Sequence, residues 1–184
     1  MNSSYQKGVG LVEVIIALLL LSIGVLGFAM LQMRAMDASM DASKRIQAMN
    51  LARDLSERMR ANKLGLLKNI AVEDDETEKL VDAYSNALEG QYSSSSYEAT
   101  CSKNDCSSIE FAQEDANQVL YKAYKAGMKI ALNNCPGVEM ESPRYCVYVA
   151  WKETLPVDGG NLDTSCTNNG SFNNKSNCIV LETY

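Results

Sequence analysis

From Val14 to Leu31 the chain runs eighteen residues without a formal charge, long enough to span a bilayer as a helix. One acidic residue, Glu13, stands at the head of that run. A carboxylate in hydrocarbon costs roughly 2.5–3.5 kcal/mol on insertion scales. A segment under pressure only for apolar character would not carry it, so Glu13 requires a partner.

The rest of the charge lies elsewhere. Lys7 and Glu13 are the only charged residues before Met33, leaving 16 basic and 22 acidic side chains beyond it. That excess argues against a polyanion-binding surface, although a local basic patch remains compatible with it. All six cysteines fall between Cys101 and Cys178. An even set confined to the part beyond a membrane reads as a disulfide framework in an oxidising compartment; the alternative is unrelated buried thiols. Pairing between sequence neighbours, Cys101–Cys106, Cys135–Cys146 and Cys166–Cys178, is the expected connectivity. There is no histidine, and the cysteine spacing matches no zinc knuckle, so no metal or cofactor is expected. Acid–base and nucleophile motifs are also missing: no G-x-S-x-G, no phosphate-binding glycine loop, no telling carboxylate pair.

The N-terminus is not an ordinary secretory signal, because its apolar run is too long and AMLQMRAM offers no clean small-x-small site. Lys7 and the start amine place the C-terminal part on the exported side. The stretch QKGVGLVEVIIALLLLSIGVLG resembles the class III signal of type IV pilins and pseudopilins. The resemblance implies cleavage by prepilin peptidase between Gly8 and Val9 and N-methylation of Val9. Glu13 is then the fifth mature residue, and its partner would be the N-terminal amine of a neighbouring subunit, a pairing that also fixes docking register. The chain departs from the family where Val9 replaces the usual Phe, where Gly10-Leu11 replaces Thr-Leu, and where Met30 occupies the position of a helix-kinking proline.

Beyond the span the helix should continue. Residues 32–62 contain no Pro or Gly and are rich in helix formers. Met33, Met36, Met40, Ile46, Met49, Ala52, Leu55 and Met59 recur at helical spacing, predicting a stripe packed on the globular part. Gly65 is the expected stop, for a helix of about 55 residues or roughly 80 Å. Asp75-x-x-Glu78 predicts a further helix through Leu80, Val81, Tyr84 and Leu88. QYSSSSYEAT reads as a loop. Ser107-x-x-Glu110 opens a helix whose stripe, Ala112, Ala116, Val119, Ala123 and Ile130, runs through Asn133 to the NNCPG stop, with Lys122, Lys125 and Lys129 late. YCVYVAW (145–151) alternates as a strand, CIVLETY is a second, and the residues between them form a long polar loop.

The resemblance thus implies an α+β, type IV pilin-like fold, a long N-terminal helix packed on a C-terminal antiparallel sheet with disulfides. Its parts are a leader (1–8), a membrane and assembly half-helix (9–31), an amphipathic half-helix (32–64) and a periplasmic head (65–184). A helix through Asn133 that ends in the turn Cys135-Pro136-Gly137, followed by VYVAW (147–151), further resembles the type IV pilus modification proteins, a minor-pilin subgroup. That implies a subunit which primes pilus assembly near the filament tip, with other minor pilins and the major pilin as partners and the inner membrane as its first location. It implies no small-molecule substrate and no direct nucleic-acid binding. A type II secretion pseudopilin shares the same N-terminal chemistry, and a membrane-anchored periplasmic enzyme is the alternative of another class.

Overall fold

A computed structural model describes residues 8, 10–66, 83–89, 97–103, 105–137, 144–159 and 164–183. The first of its two compact units covers Met1–Ser43 and the second Lys44–Tyr184. Helix α1 is Leu11–Ala61. In the first unit its apolar residues are exposed on every side. A helix without a polar face is suited to lipid rather than to water.

The second unit is built around the last third of α1. Ala48, Leu51, Ala52, Leu55 and Met59 are buried, at the i, i+3, i+4, i+7 spacing that puts them on one face. They join residues of α3 (Ala83–Glu89) and α4 (Ser108–Lys125) in one core. Against these helices lies a three-stranded antiparallel sheet in the order β1 (Met128–Asn134), β2 (Tyr145–Trp151), β6 (Cys178–Thr183). Val147, Val149 and Trp151 face the helices, while Cys146, Tyr148 and Ala150 face a second, smaller cluster with Cys135, Cys166 and Cys178. The latter belongs with a small sheet of β3 (Leu155–Asp158), β4 (Ser165–Asn168) and β5 (Ser171–Phe172). The fold class is α+β and pilin-like.

Four expectations are corrected. The stripe along α1 is buried only from Ala48 onward, where the core of the second unit begins; Met33, Met36 and Met40 are exposed within the first unit, and Ile46 is exposed in the second. Helix α1 stops at Ala61, and Gly65 sits buried inside a short helix α2 (Lys63–Leu66). The Asn62 side chain reorients the chain there by donating to the Ser108 carbonyl at 2.7 Å and accepting from the Gly65 amide at 3.2 Å. The helix opened by Ser107 has the predicted capping box but ends at Lys125. Gly127 adopts φ 66°, a left-handed conformation that closes a helix C-terminus, and Lys129 and Ile130 therefore lie on β1. Finally, the predicted loop between β2 and β6 contains the small sheet. Its β4–β5 hairpin turns on Asn169 (φ 49°) and Gly170 (φ 78°), the left-handed pair that Asn-Gly favours in two-residue turns. The start of the helix predicted at Asp75, with Leu80 and Val81, and the Ser-rich segment up to Ser96 lie outside the described residues.

A Cβ placed on Gly65 would stand 2.8 Å from the Ala112 Cβ and 3.1 Å from the Ser108 carbonyl oxygen. Gly65→Ala should therefore destabilise the second unit by about 1–3 kcal/mol through overpacking, read as a lower thermal midpoint in detergent. Gly24→Ala, with no neighbour within 4 Å, should leave the midpoint of that unit unchanged.

Candidate assembly site

Helix α1 begins where the Gly10 carbonyl accepts hydrogen bonds from the amides of Glu13 (3.0 Å) and Val14 (3.3 Å). Glu13 thus occupies the first turn, where the positive end of the helix dipole favours a carboxylate. Among the described residues no cation forms an ion pair with it. Gly8 is exposed ahead of the helix; Val9 lies outside the described residues. Within the apolar run the Ser22 hydroxyl donates to the Leu19 carbonyl at 2.8 Å, so its polar group is satisfied without water. Gly24 and Gly27 have open space where a side chain would be, leaving room for another helix to approach closely. The helix contains a stretch long and apolar enough to cross a membrane.

The second unit is tied together by charge as well as by its core. Arg58 donates through Nε to Asp54 at 2.7 Å, and through its Nη1 to Asp115, which is 6% exposed. The Tyr84 hydroxyl donates to the other Asp115 oxygen at 3.1 Å, and Lys122 donates to Asp54 at 2.7 Å. One network therefore joins α1, α3 and α4. Burial raises the Asp54 carboxyl, but hydrogen bonds from Lys122 and Arg58 outweigh it and hold the group below its usual value. Asp54 and Arg58 stand at the i,i+4 spacing that pairs opposite charges on a helix. Asp115 was missed, though its place beside Ala112 and Ala116 marks it as a charge on the apolar face of α4.

Three disulfides join Cys101 to Cys106, Cys135 to Cys146 and Cys166 to Cys178, with Cα separations of 5.5, 5.0 and 5.8 Å. The second staples the end of β1 to β2, and the third ties the small sheet to β6. Each is worth typically 2–4 kcal/mol, less for the shortest loop. All six thiols are consumed. Among the described residues no three His, Cys, Asp or Glu side chains converge as metal ligands.

Glu114 anchors the segment before α4. Its carboxylate accepts from the Cys101 amide (2.6 Å), the Thr100 amide and hydroxyl (both 2.8 Å) and the Tyr97 hydroxyl (3.0 Å). The Cys101 amide does most to lower its pKa, against a smaller opposing effect of burial. Burial and the Glu114 bond push Tyr97 up to about 12. A lowered carboxyl stabilises the fold fully above its unfolded value near 4.5 and loses that contribution as pH falls through the folded value. Hydrogen-exchange protection of the Thr100 and Cys101 amides should therefore hold at pH 7, fall in acid below that range, and be lost at pH 7 in Glu114→Ala.

Comparison with known families bears on the whole arrangement. Residues 3–29 match the model for the prokaryotic N-terminal methylation motif, and residues 30–117 match the model for type IV pilin Tt1218. No curated protein and no solved structure matches the chain. The first match covers Gly8, Glu13 and most of the apolar run. The second covers the rest of α1 and its connection through most of α4, including Asp54, Arg58, Glu114 and Asp115. A methylation motif leading into an apolar helix supports anchoring in the inner membrane, processing by prepilin peptidase and assembly with other pilins. The chain belongs to the type IV pilin family, whose members are structural subunits and not enzymes.

Proposed function

We propose that the chain is a minor pilin, similar to the type IV pilus modification protein PilV, which primes pilus assembly and sits at or near the tip. The observation that carries this reading is Glu13, a lone carboxylate in the first turn of a helix whose apolar surface is exposed all round. Prepilin peptidase cuts the Gly8–Val9 amide on the cytoplasmic side, and methylation of the new amine follows. The amine of Val9 in a neighbouring subunit then pairs with Glu13 as the helices leave the lipid together. Each charge alone is penalised in hydrocarbon, and the pair relieves both penalties in one register only. Before assembly the chain is a single-pass inner-membrane protein with its C-terminus in the periplasm, a compartment consistent with three disulfides. Motility, adhesion and DNA uptake follow from the pilus; the acidic exported part gives no support for direct DNA contact by this subunit.

The minor-pilin assignment is supported by Cys135-Pro136-Gly137 and the strand Val147 to Trp151. The helix expected to run through Asn133 into that turn is not part of this support, because α4 ends ten residues before Cys135 and strand β1 precedes the turn. A pseudopilin of type II secretion has the same N-terminal chemistry, and partners separate the two. Intact-mass measurement from the native host should show a chain beginning at methylated Val9; retention of residues 1–8 would contradict the processing step. Co-purification from membranes should recover other minor pilins and the major pilin. Recovery of secretion pseudopilins in their place would assign the chain to that machine.

A further inference from the structure

The second unit has an electrostatic polarity that its overall charge hides. The registers Met128↔Trp151 and Ala150↔Cys178 put the start of β1, the end of β2 and the start of β6 at one end of the main sheet. The C-terminus of α4 and the first turn of the unit's share of α1 meet there, because Lys44 Nζ donates to the Ala126 carbonyl at 2.8 Å. Arg45 lies over the Trp151 ring at 6.0 Å. Lys152 donates to Asn177 at 3.2 Å, and Asn177 in turn donates to the Lys175 carbonyl at 3.2 Å. Lys44, Arg45, Lys125, Lys129, Lys152 and Lys175 thus converge on one end, where the acids beside them are Glu153, in the same turn as Lys152, and Asp41, one helical turn before Arg45 on α1. The chain as a whole carries 17 basic and 23 acidic residues. Helix α4 repeats the polarity, with Glu110, Glu114 and Asp115 early and Lys122 and Lys125 late.

Two further facts give this end a partner. Lys152 holds φ 57°, a left-handed conformation suited to Gly or Asn and unfavourable for a long side chain. The turn keeps an exposed cation where its backbone favours a smaller residue. The second fact is the tether. The basic end is where the chain enters the unit, and residues 32–43 join it to the apolar run. Even fully extended, twelve residues reach no more than about 43 Å, so a bilayer surface is always near. Polybasic segments held beside a membrane are attracted to anionic headgroups.

We infer that this end of the second unit, formed by Lys44, Arg45, Lys125, Lys129, Lys152 and Lys175, is a docking face for anionic phospholipid headgroups. It holds the unassembled subunit against the bilayer that anchors it, and release of the face accompanies departure from the membrane. The inference rests on membrane anchoring, not on the identity of the filament.

Trp151 is the only tryptophan and lies beneath Arg45, so it reports on this face. The full chain is reconstituted into phosphatidylglycerol or phosphatidylcholine vesicles carrying a trace of headgroup-labelled dansyl lipid. Energy transfer from Trp151 should be higher in phosphatidylglycerol at low ionic strength and fall to the phosphatidylcholine level in about 0.5 M salt. Each charge removed in Lys125→Gln, Lys152→Gly and Lys175→Gln should lower the docked population about five-fold. The thermal midpoint of the triple variant should not fall, which excludes unfolding as the cause. Equal transfer in the two lipids, or a preference that survives the triple substitution, overturns the inference. Binding of a DNA duplex by the reconstituted chain without a phosphatidylglycerol preference overturns it in favour of a nucleic-acid face. A chain that inserts, floats with the vesicles and shows no lipid preference leaves anchoring intact; a chain that does not float overturns both.

Discussion

Strand β2 is buried on both faces, and the architecture of the second unit follows from that constraint. A strand covered on one side needs only alternation of apolar and polar residues; one covered on both needs two apolar sets of different shape. Val147, Val149 and Trp151 meet the helices, where large side chains fill the space between α1, α4 and the sheet. Cys146, Tyr148 and Ala150 meet a much thinner cluster. Four of that cluster's six buried residues are half-cystines, so covalent links do there what a deeper apolar layer does on the helix side. A thin layer cannot bury enough surface to order itself, and disulfides to β2 and β6 supply the restraint directly.

Helix α1 carries two kinds of surface. From Ala48 to Met59 one face is buried in a core with α3, α4 and the sheet, fixed further by Arg58 and its two aspartates. From Val14 to Leu31 the apolar side chains are exposed, and the backbone hydrogen bonds are closed within the helix, the condition for residence in lipid. Glu13 is the one group in that region whose charge neither the helix nor the described residues neutralise. A subunit meant to stay in the bilayer would have no use for it. Under the proposed function, a subunit that leaves with a partner gains register from it.

The sequence made some of this legible and hid the rest for identifiable reasons. The alternation in YCVYVAW is specific because its two faces differ in residue type, and the structure separates them in that way. The span and Glu13 are legible because charge in an apolar run has few explanations. MKIALNN was misread as helix because Met, Lys, Ala and Leu are good helix formers and Ile130 falls in phase with the stripe ending at Ala123. Gly127 was the contrary signal, since a glycine just past two lysines marks a C-cap. Asn169-Gly170 likewise announced a hairpin in a stretch whose polarity suggested only loop. Asp115 is a tertiary feature: its partners Arg58 and Tyr84 lie far away in sequence, and only folding brings them together.

The central claim is that Glu13 provides the charge that directs this subunit into a filament. The direct measurement is the amount of this chain in pili sheared from cells that carry Glu13→Ala, compared with the amount of processed chain in their membranes. The account predicts normal cleavage and insertion but at least a ten-fold fall in the pilus fraction, about 1.4 kcal/mol of lost docking preference. Incorporation at the wild-type level would contradict it.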